Sequence, residues 1–171
     1  RDIIPAKGIN TQKDNMLCMK KLRAVFDGAP IDGITPQIIA QYRDKRGVDA
    51  PVRANREISL LSHIFNMARE WGYTAKENPA RGVRKNKETP RDFYADDIIW
   101  QAVYDQACNE LKDAMDLNYL TGQRPADVLK MRLTDIKDGA LEVKQNKTNK
   151  RLRILVESDG MRTQLGQLID R

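Results

Sequence analysis

The sequence predicts a mainly α fold with a small β-hairpin, an α+β protein in two parts, and three observations carry that expectation. Apolar residues recur at helical spacing from Met16 to Ala68. Between Thr74 and Arg91 apolar side chains nearly vanish, while Pro79, Gly82, Pro90 and basic residues dominate. Later, Leu141–Glu142–Val143 and Leu152–Arg153–Ile154–Leu155–Val156 read as strands around a turn at Thr148–Asn149.

The first part is a succession of helices. Thr11 is the expected N-cap of a helix running to Phe26, with Met16, Met19, Leu22, Val25 and Phe26 on its apolar stripe. Asp27–Gly28 and Pro30 stop it. Thr35–Pro36 restarts a helix by the cap-then-proline signature, carrying Ile38, Ile39 and Tyr42 as far as Arg46–Gly47. A longer helix is expected from Pro51 to Trp71, with Ile58, Leu61, Ile64, Phe65 and Ala68 facing inward and Gly72 ending it. Short loops between such helices make a bundle over residues 1–78. The apolar-poor, basic stretch at 79–93 then reads as an interdomain linker, and 94–171 as a second unit.

In that second unit, Tyr94–Ala95–Asp96–Asp97 starts a helix with Ile98, Ile99, Ala102, Val103 and Ala107 on one face. Another helix, Asn109 to Leu120, carries Leu111, Ala114, Met115 and Leu117 and stops at Thr121–Gly122. A helix over Pro125–Arg132 follows, then Thr134–Asp135–Ile136, the two strands, and a final helix from Gly160 to Ile169.

With 40% hydrophobic and 32% charged residues, the composition is that of a soluble globular protein. No apolar run reaches the roughly 20 residues a membrane span needs, and no signal-peptide pattern opens the sequence. Cys18 and Cys108 lack metal-ligand spacing and are expected as buried free thiols, which suits a reducing, cytoplasmic setting. The formal charge is +6, from 30 basic and 24 acidic residues. Its placement matters more than its size. Arg81, Arg84, Lys85, Lys87 and Arg91 crowd one stretch, and Lys144, Lys147, Lys150, Arg151 and Arg153 surround the hairpin. Either run alone suits a solvated face; the two together point to a polyanionic partner.

Arg124 stands one residue before Pro125, a favoured first helical position, so unpaired backbone amides lie beside a permanently charged fork. Guanidinium matches two phosphate oxygens, and a helix dipole adds positive potential. Asp127 is placed to accept from Arg124 or to cap the helix, and the same pair serves equally well to start an ordinary surface helix. Lys147 at the hairpin tip either solubilises the turn or delivers a proton to a leaving alkoxide.

In order and spacing, Thr121–Gly122–Gln123–Arg124, a helix with Asp127, Thr134–Asp135–Ile136 and a hairpin with Lys147–Thr148 resemble the tyrosine recombinase family, the phage integrases in particular. The upstream bundle, with its long helix Arg53–Trp71 and Asn78–Pro79, resembles that family's core-binding domain, and 94–171 the N-terminal half of its catalytic domain.

The resemblance implies that Arg124 is the first of two phosphate-binding arginines, that Lys147 is general acid on the 5′-hydroxyl leaving group, and that Asp127 steadies the arginine. It implies strand cleavage by a tyrosine and rejoining through a 3′-phosphotyrosyl link, with no ATP, metal or other cofactor. The implied partner is double-stranded DNA at attachment or core sites, held by two lobes. The candidate phosphate contacts are Arg53, Arg56, Arg84, Lys85, Lys87, Arg91, Lys144, Lys150 and Arg151.

The sequence departs from the pattern after the hairpin, where the family has a His-x-x-Arg helix, a further His or Trp and a tyrosine nucleophile. The one histidine, His63, lies mid-helix, and Tyr42, Tyr73, Tyr94, Tyr104 and Tyr119 all precede Arg124. The expectation is a fragment that binds DNA as a monomer and does not cleave it, whereas the intact protein works as a tetramer on DNA. Two other readings stay open: a non-catalytic regulator of helix-turn-helix type, and a helical interaction module whose basic patches only maintain solubility.

Overall fold

The computed structural model describes residues 3–171 and divides into two compact units, Arg1–Arg91 and Asp92–Arg171. The fold is mainly helical with small antiparallel sheets, as the sequence predicts.

In unit 1, α1 (Ile9–Phe26) and α2 (Pro36–Gly47) both pack on α3 (Pro51–Glu70). Thr35 caps α2 by accepting from the Ile38 N–H at 3.3 Å, and Gly72 takes the left-handed conformation after α3. Leu22, Ile39, Ile58, Leu61 and Cys18 form the core, and Phe65 is also fully buried. Of the predicted stripe of α1, Leu22 is buried and Met19 and Phe26 pack against the core, whereas Met16 and Val25 face solvent and Asn15 and Cys18 are buried in addition.

A polar network crosses this core. Glu57, 1% exposed, accepts from the Tyr42 hydroxyl at 2.7 Å and pairs with Arg46 at 3.2 Å. Burial, with the bond to Glu57, pushes the Tyr42 phenol well above its ordinary range.

The basic stretch expected as a linker lies largely along unit 1. Ala80 and Val83 pack against its core. Asn78 donates to the Ser62 carbonyl at 3.0 Å, and Asn55 and Asn86 exchange two bonds at 2.8 and 2.9 Å. Asn86 lies so close over Gly47 that a Cβ there would meet its side chain at 2.8 Å. Side-chain amides and the two apolar residues dock it together.

In unit 2, α4 (Asp97–Gln106) is capped by Asp96, which accepts from the Ile99 N–H at 2.9 Å. Its predicted apolar face is not buried: Ile98 and Val103 are exposed, and Cys108, N-cap of α5 (Asn109–Thr121), is exposed as well. After α6 (Pro125–Val128) come β1 (Ile136–Lys137), β2 (Ala140–Lys144) and β3 (Arg151–Leu155), an antiparallel sheet in that order. A second hairpin joins β4 (Glu157–Ser158) to β5 (Met161–Arg162), and α7 (Gln164–Ile169) follows.

β1, β4 and β5 were not expected. Each hairpin turns through an Asp-Gly pair, Asp138–Gly139 and Asp159–Gly160, with positive φ at both residues. That is the conformation a two-residue hairpin loop demands and the residue pair that favours it. The last helix therefore starts later than predicted, capped by Thr163, which accepts from the Gly166 N–H at 3.2 Å. Leu141, Val143, Val156 and Leu165 make the core of this unit. Gly166 lets α7 lie directly on the chain, because a Cβ there would sit 2.1 Å from the Val156 carbonyl oxygen.

Candidate nucleic-acid interface

Arg124 is placed by the way α5 ends. Gly122 adopts φ +61°, with its N–H bonded to the Asn118 carbonyl at 2.9 Å, while the Asn118 amide donates to the Gln123 carbonyl at 2.8 Å. Arg124 is then N-cap of α6, its carbonyl accepting from Asp127 at 2.7 Å and Val128 at 3.0 Å. Its guanidinium is exposed and joins no ion pair or hydrogen bond among the described residues.

α6 has four residues instead of the predicted eight or so, because bonds from Lys130 to Asp127 and from Met131 to Val128 tighten the chain out of the helix. So short a helix has little macrodipole. Attraction for an anion here rests on the guanidinium.

Asp127 is 3% exposed and does not bond Arg124 through its side chain. One carboxylate oxygen accepts from the Asn146 N–H at 2.8 Å; the other is buried without a partner. Its side chain grips the hairpin turn and not the Arg124 guanidinium, since the third position of α6 points inward against that turn.

Three more bonds join the same two segments. The Asn146 amide donates to the Ala126 carbonyl at 3.1 Å, the Lys130 ammonium to Asn146 Oδ1 at 2.8 Å, and the Gln145 amide to Gln123 Oε1 at 2.8 Å. Lys147 follows Asn146 directly and is exposed, as is Arg124. Its turn is closed by the Gln145 N–H to the Lys150 carbonyl at 2.9 Å, with Asn149 at φ +55°. The structure therefore brings the chain around Arg124 against the turn bearing Lys147, through residues on either side of Arg124 and the two that precede Lys147. Gln123, Lys130, Gln145 and Asn146 were not singled out from sequence; exposed amides in a turn carry no periodic signal, and their partners lie as far as twenty-two positions away.

Among the other cations, Lys144 and Arg151 stand directly opposite each other on β2 and β3, both exposed. Like charges in that position repel, a cost that a bound polyanion removes. With Asp127, Lys130, Met131 and Arg153 they line a cavity of about 470 Å³. Lys150 is exposed on the turn.

In unit 1, Arg56, Arg84, Lys85, Lys87 and Arg91 are exposed, and the Arg84 carbonyl is held by Arg43 at 2.9 Å. Arg53 is different. Its guanidinium bonds Asp14 at 2.6 Å and Cys18 Sγ at 3.3 Å, and that carboxylate holds it above the ordinary arginine range. It clamps α3 to α1, and unlike the other cations expected to meet phosphate in unit 1 it is already paired with a carboxylate. Burial pushes the Cys18 thiol up.

No protein-family profile matches the chain. The integrase of Enterobacteria phage 434 is 35% identical over 163 residues, and that of Escherichia phage lambda 34% identical over 162. The chain is thus similar to phage integrases over most of its own length. Each alignment covers 89% of this chain and 44% of the relative, so the chain spans less than half the length of those integrases.

Its fold is similar to that of lambda integrase residues 75–356 in a dimer bound to a COC′ core site, with TM-score 0.82 and 26% identity over 97% of this chain and 63% of that one. It is similar also to a lambda integrase tetramer bound to a Holliday junction, with TM-score 0.83 and 26% identity over 97% of this chain and 51% of that one. The fold class stands as expected, and the similarity to phage integrases agrees with the resemblance seen in the sequence. Among the described residues no helix is long and apolar enough to cross a membrane.

Proposed function

We propose that residues 1–171 are the helical DNA-gripping unit and the first part of the catalytic unit of a phage-type site-specific recombinase, acting on double-stranded DNA in the cytoplasm. The observation that carries this is the four-bond junction between the Gln123–Lys130 segment and the Gln145–Asn146 turn, which keeps two free cations on neighbouring, bonded segments. Similarity to integrases over 89% of the chain supports the same function.

In this mechanism Arg124 holds two non-bridging oxygens of the scissile phosphate and stabilises the charge that grows as the tyrosine attacks. A tyrosine Oη–phosphorus bond forms and the phosphorus–O5′ bond breaks. Lys147 passes its proton to O5′, since an alkoxide is a poor leaving group without one. The bond energy is kept in the 3′-phosphotyrosyl link for rejoining. Lys144, Lys150, Arg151 and the exposed cations of Arg56 and the 84–91 segment neutralise neighbouring phosphates.

The attacking tyrosine is not one of the five in residues 1–171. Tyr42 is buried against Glu57, and none of the others belongs to the Arg124–Lys147 junction. These residues by themselves therefore bind DNA without cleaving it.

Two measurements test this. Residues 1–171 shift a duplex in a mobility assay and give no covalent complex. In a full-length protein, Arg124→Ala abolishes covalent trapping on nicked DNA, while Lys147→Ala slows cleavage about 10²- to 10⁴-fold with binding nearly intact. Normal cleavage by Lys147→Ala rejects the general-acid role, and absence of any duplex shift rejects the DNA-binding function.

A further inference from the structure

Lys147 is exposed and joins no ion pair among the described residues, so its place is set by the turn between β2 and β3. Loops of this kind sway on nanosecond to microsecond times. A displacement of about 1 Å at a reacting group can cost about 10²-fold in rate, so a general acid on a turn needs that turn held.

Gln145 holds it with every polar group it has. Its backbone N–H donates to the Lys150 carbonyl and its own carbonyl accepts from the Asn149 N–H, both at 2.9 Å. Those two bonds close the turn. Its side chain adds two more that closure does not require: Oε1 accepts from the Thr148 hydroxyl at 2.6 Å, and Nε2 donates to Gln123 Oε1 at 2.8 Å.

Gln123 is itself fixed to the end of α5. Its Nε2 donates to the Thr121 carbonyl at 3.0 Å, and its carbonyl accepts from Asn118 at 2.8 Å. The Thr121 hydroxyl in turn donates to the Leu117 carbonyl at 2.6 Å. Both glutamines are half-buried. A continuous line of side-chain bonds thus runs from α5 through Gln123 and Gln145 to Thr148. It ties the residue before Arg124 to the residue after Lys147.

We propose that Gln145 is a positioning residue for proton delivery, holding the Lys147 turn, with Gln123, at a fixed reach from Arg124. The assignment rests on the general-acid role proposed above and names what sets its geometry. As the tyrosine Oη–phosphorus bond forms and the phosphorus–O5′ bond breaks, the Lys147 proton passes to O5′. Gln145 touches none of these atoms. Its loss impairs delivery of the proton and leaves the grip on phosphate intact.

The test measures covalent-complex formation by the full-length protein on two nicked duplexes that differ in one atom. One is ordinary; in the other, sulfur replaces the 5′ oxygen of the scissile phosphate. A thiol has a pKa of about 8.5, so the sulfur departs as thiolate and needs no proton. Gln145→Met, similar in size but without the amide, cleaves the ordinary duplex about 10- to 100-fold more slowly than wild type and the sulfur duplex at the wild-type rate. Gln123→Met, which removes the other partner of the bond, gives the same pattern, and duplex affinity is unchanged in both. Equal slowing on the two duplexes by either variant marks a purely structural support and overturns the proposal. Wild-type cleavage of the ordinary duplex by either variant overturns it as well. Lys147→Ala separates this inference from the one beneath it: if sulfur does not restore its cleavage, the general-acid role fails, and the role of Gln145 with it.

Discussion

Asp127 and Asn146, nineteen positions apart, meet through a 2.8 Å bond from the backbone N–H of one to the buried carboxylate of the other. That bond makes the start of α6 and the lysine-bearing turn one structural unit, so the position of Lys147 depends on a residue first read as a partner of Arg124. Asp127→Ala is expected to raise exchange of the Asn146 amide about 10- to 100-fold, while the strand amides of Leu141 and Val143 keep their protection. Unchanged exchange at Asn146 in this variant would falsify the junction.

Gly166 is a packing requirement. An added Cβ meets the Val156 carbonyl oxygen at 2.1 Å, a backbone atom that no rotamer change moves. Gly166→Ala should destabilise unit 2 by about 1–3 kcal/mol through overpacking, read from hydrogen exchange of Val143 and Val156. Wild-type protection would mean that α7 shifts at no cost.

In unit 1 the Tyr42–Glu57–Arg46 network spans α2 and α3 with a nearly inaccessible carboxylate. Removing one member strands the other charge. Glu57→Ala should cost about 3–5 kcal/mol in chemical denaturation. A loss below about 1 kcal/mol would show that Arg46 finds water or another partner.

Tyr42 also sets an alkaline limit. Its folded pKa lies above the ordinary 10.0, mainly through burial, so above that pH the unfolded chain gives up a proton the folded chain keeps. The stability that this provides is complete below pH 10 and is lost as pH rises beyond it. Denaturation midpoints should fall from about pH 10 upward, and Tyr42→Phe should flatten that fall. Equal slopes in both proteins would rule the mechanism out.

The opposed Lys144 and Arg151 are expected to answer to salt as phosphate contacts do. Replacing either with Gln should lower the slope of log affinity against log salt by about one, with similar losses on unrelated duplexes. A slope unchanged by both substitutions would leave the two as solvated surface charges.

The sequence by itself determined the helices and the order of the chemical groups. Periodicity and caps are local properties, so Thr35–Pro36, Asp96, Gly72 and Gly122 mark their helix ends in the structure as they do in the sequence. The Asp-Gly turns at 138–139 and 159–160 are local as well, yet three of the four strands they join have two residues each, too few to show alternation.

Tertiary structure alone decided what each charge and amide is used for. Arg53 and Arg56 lie one helical turn apart on α3, yet only Arg53 meets a carboxylate, because Asp14 on α1 is within reach of it. Asp127 turned to Asn146, and the basic segment settled on unit 1 through Asn55 and Asn86, for the same reason. Hydrogen bonding and ion pairing depend on which atoms arrive within about 3 Å of one another, and residues tens of positions apart are brought together only by packing.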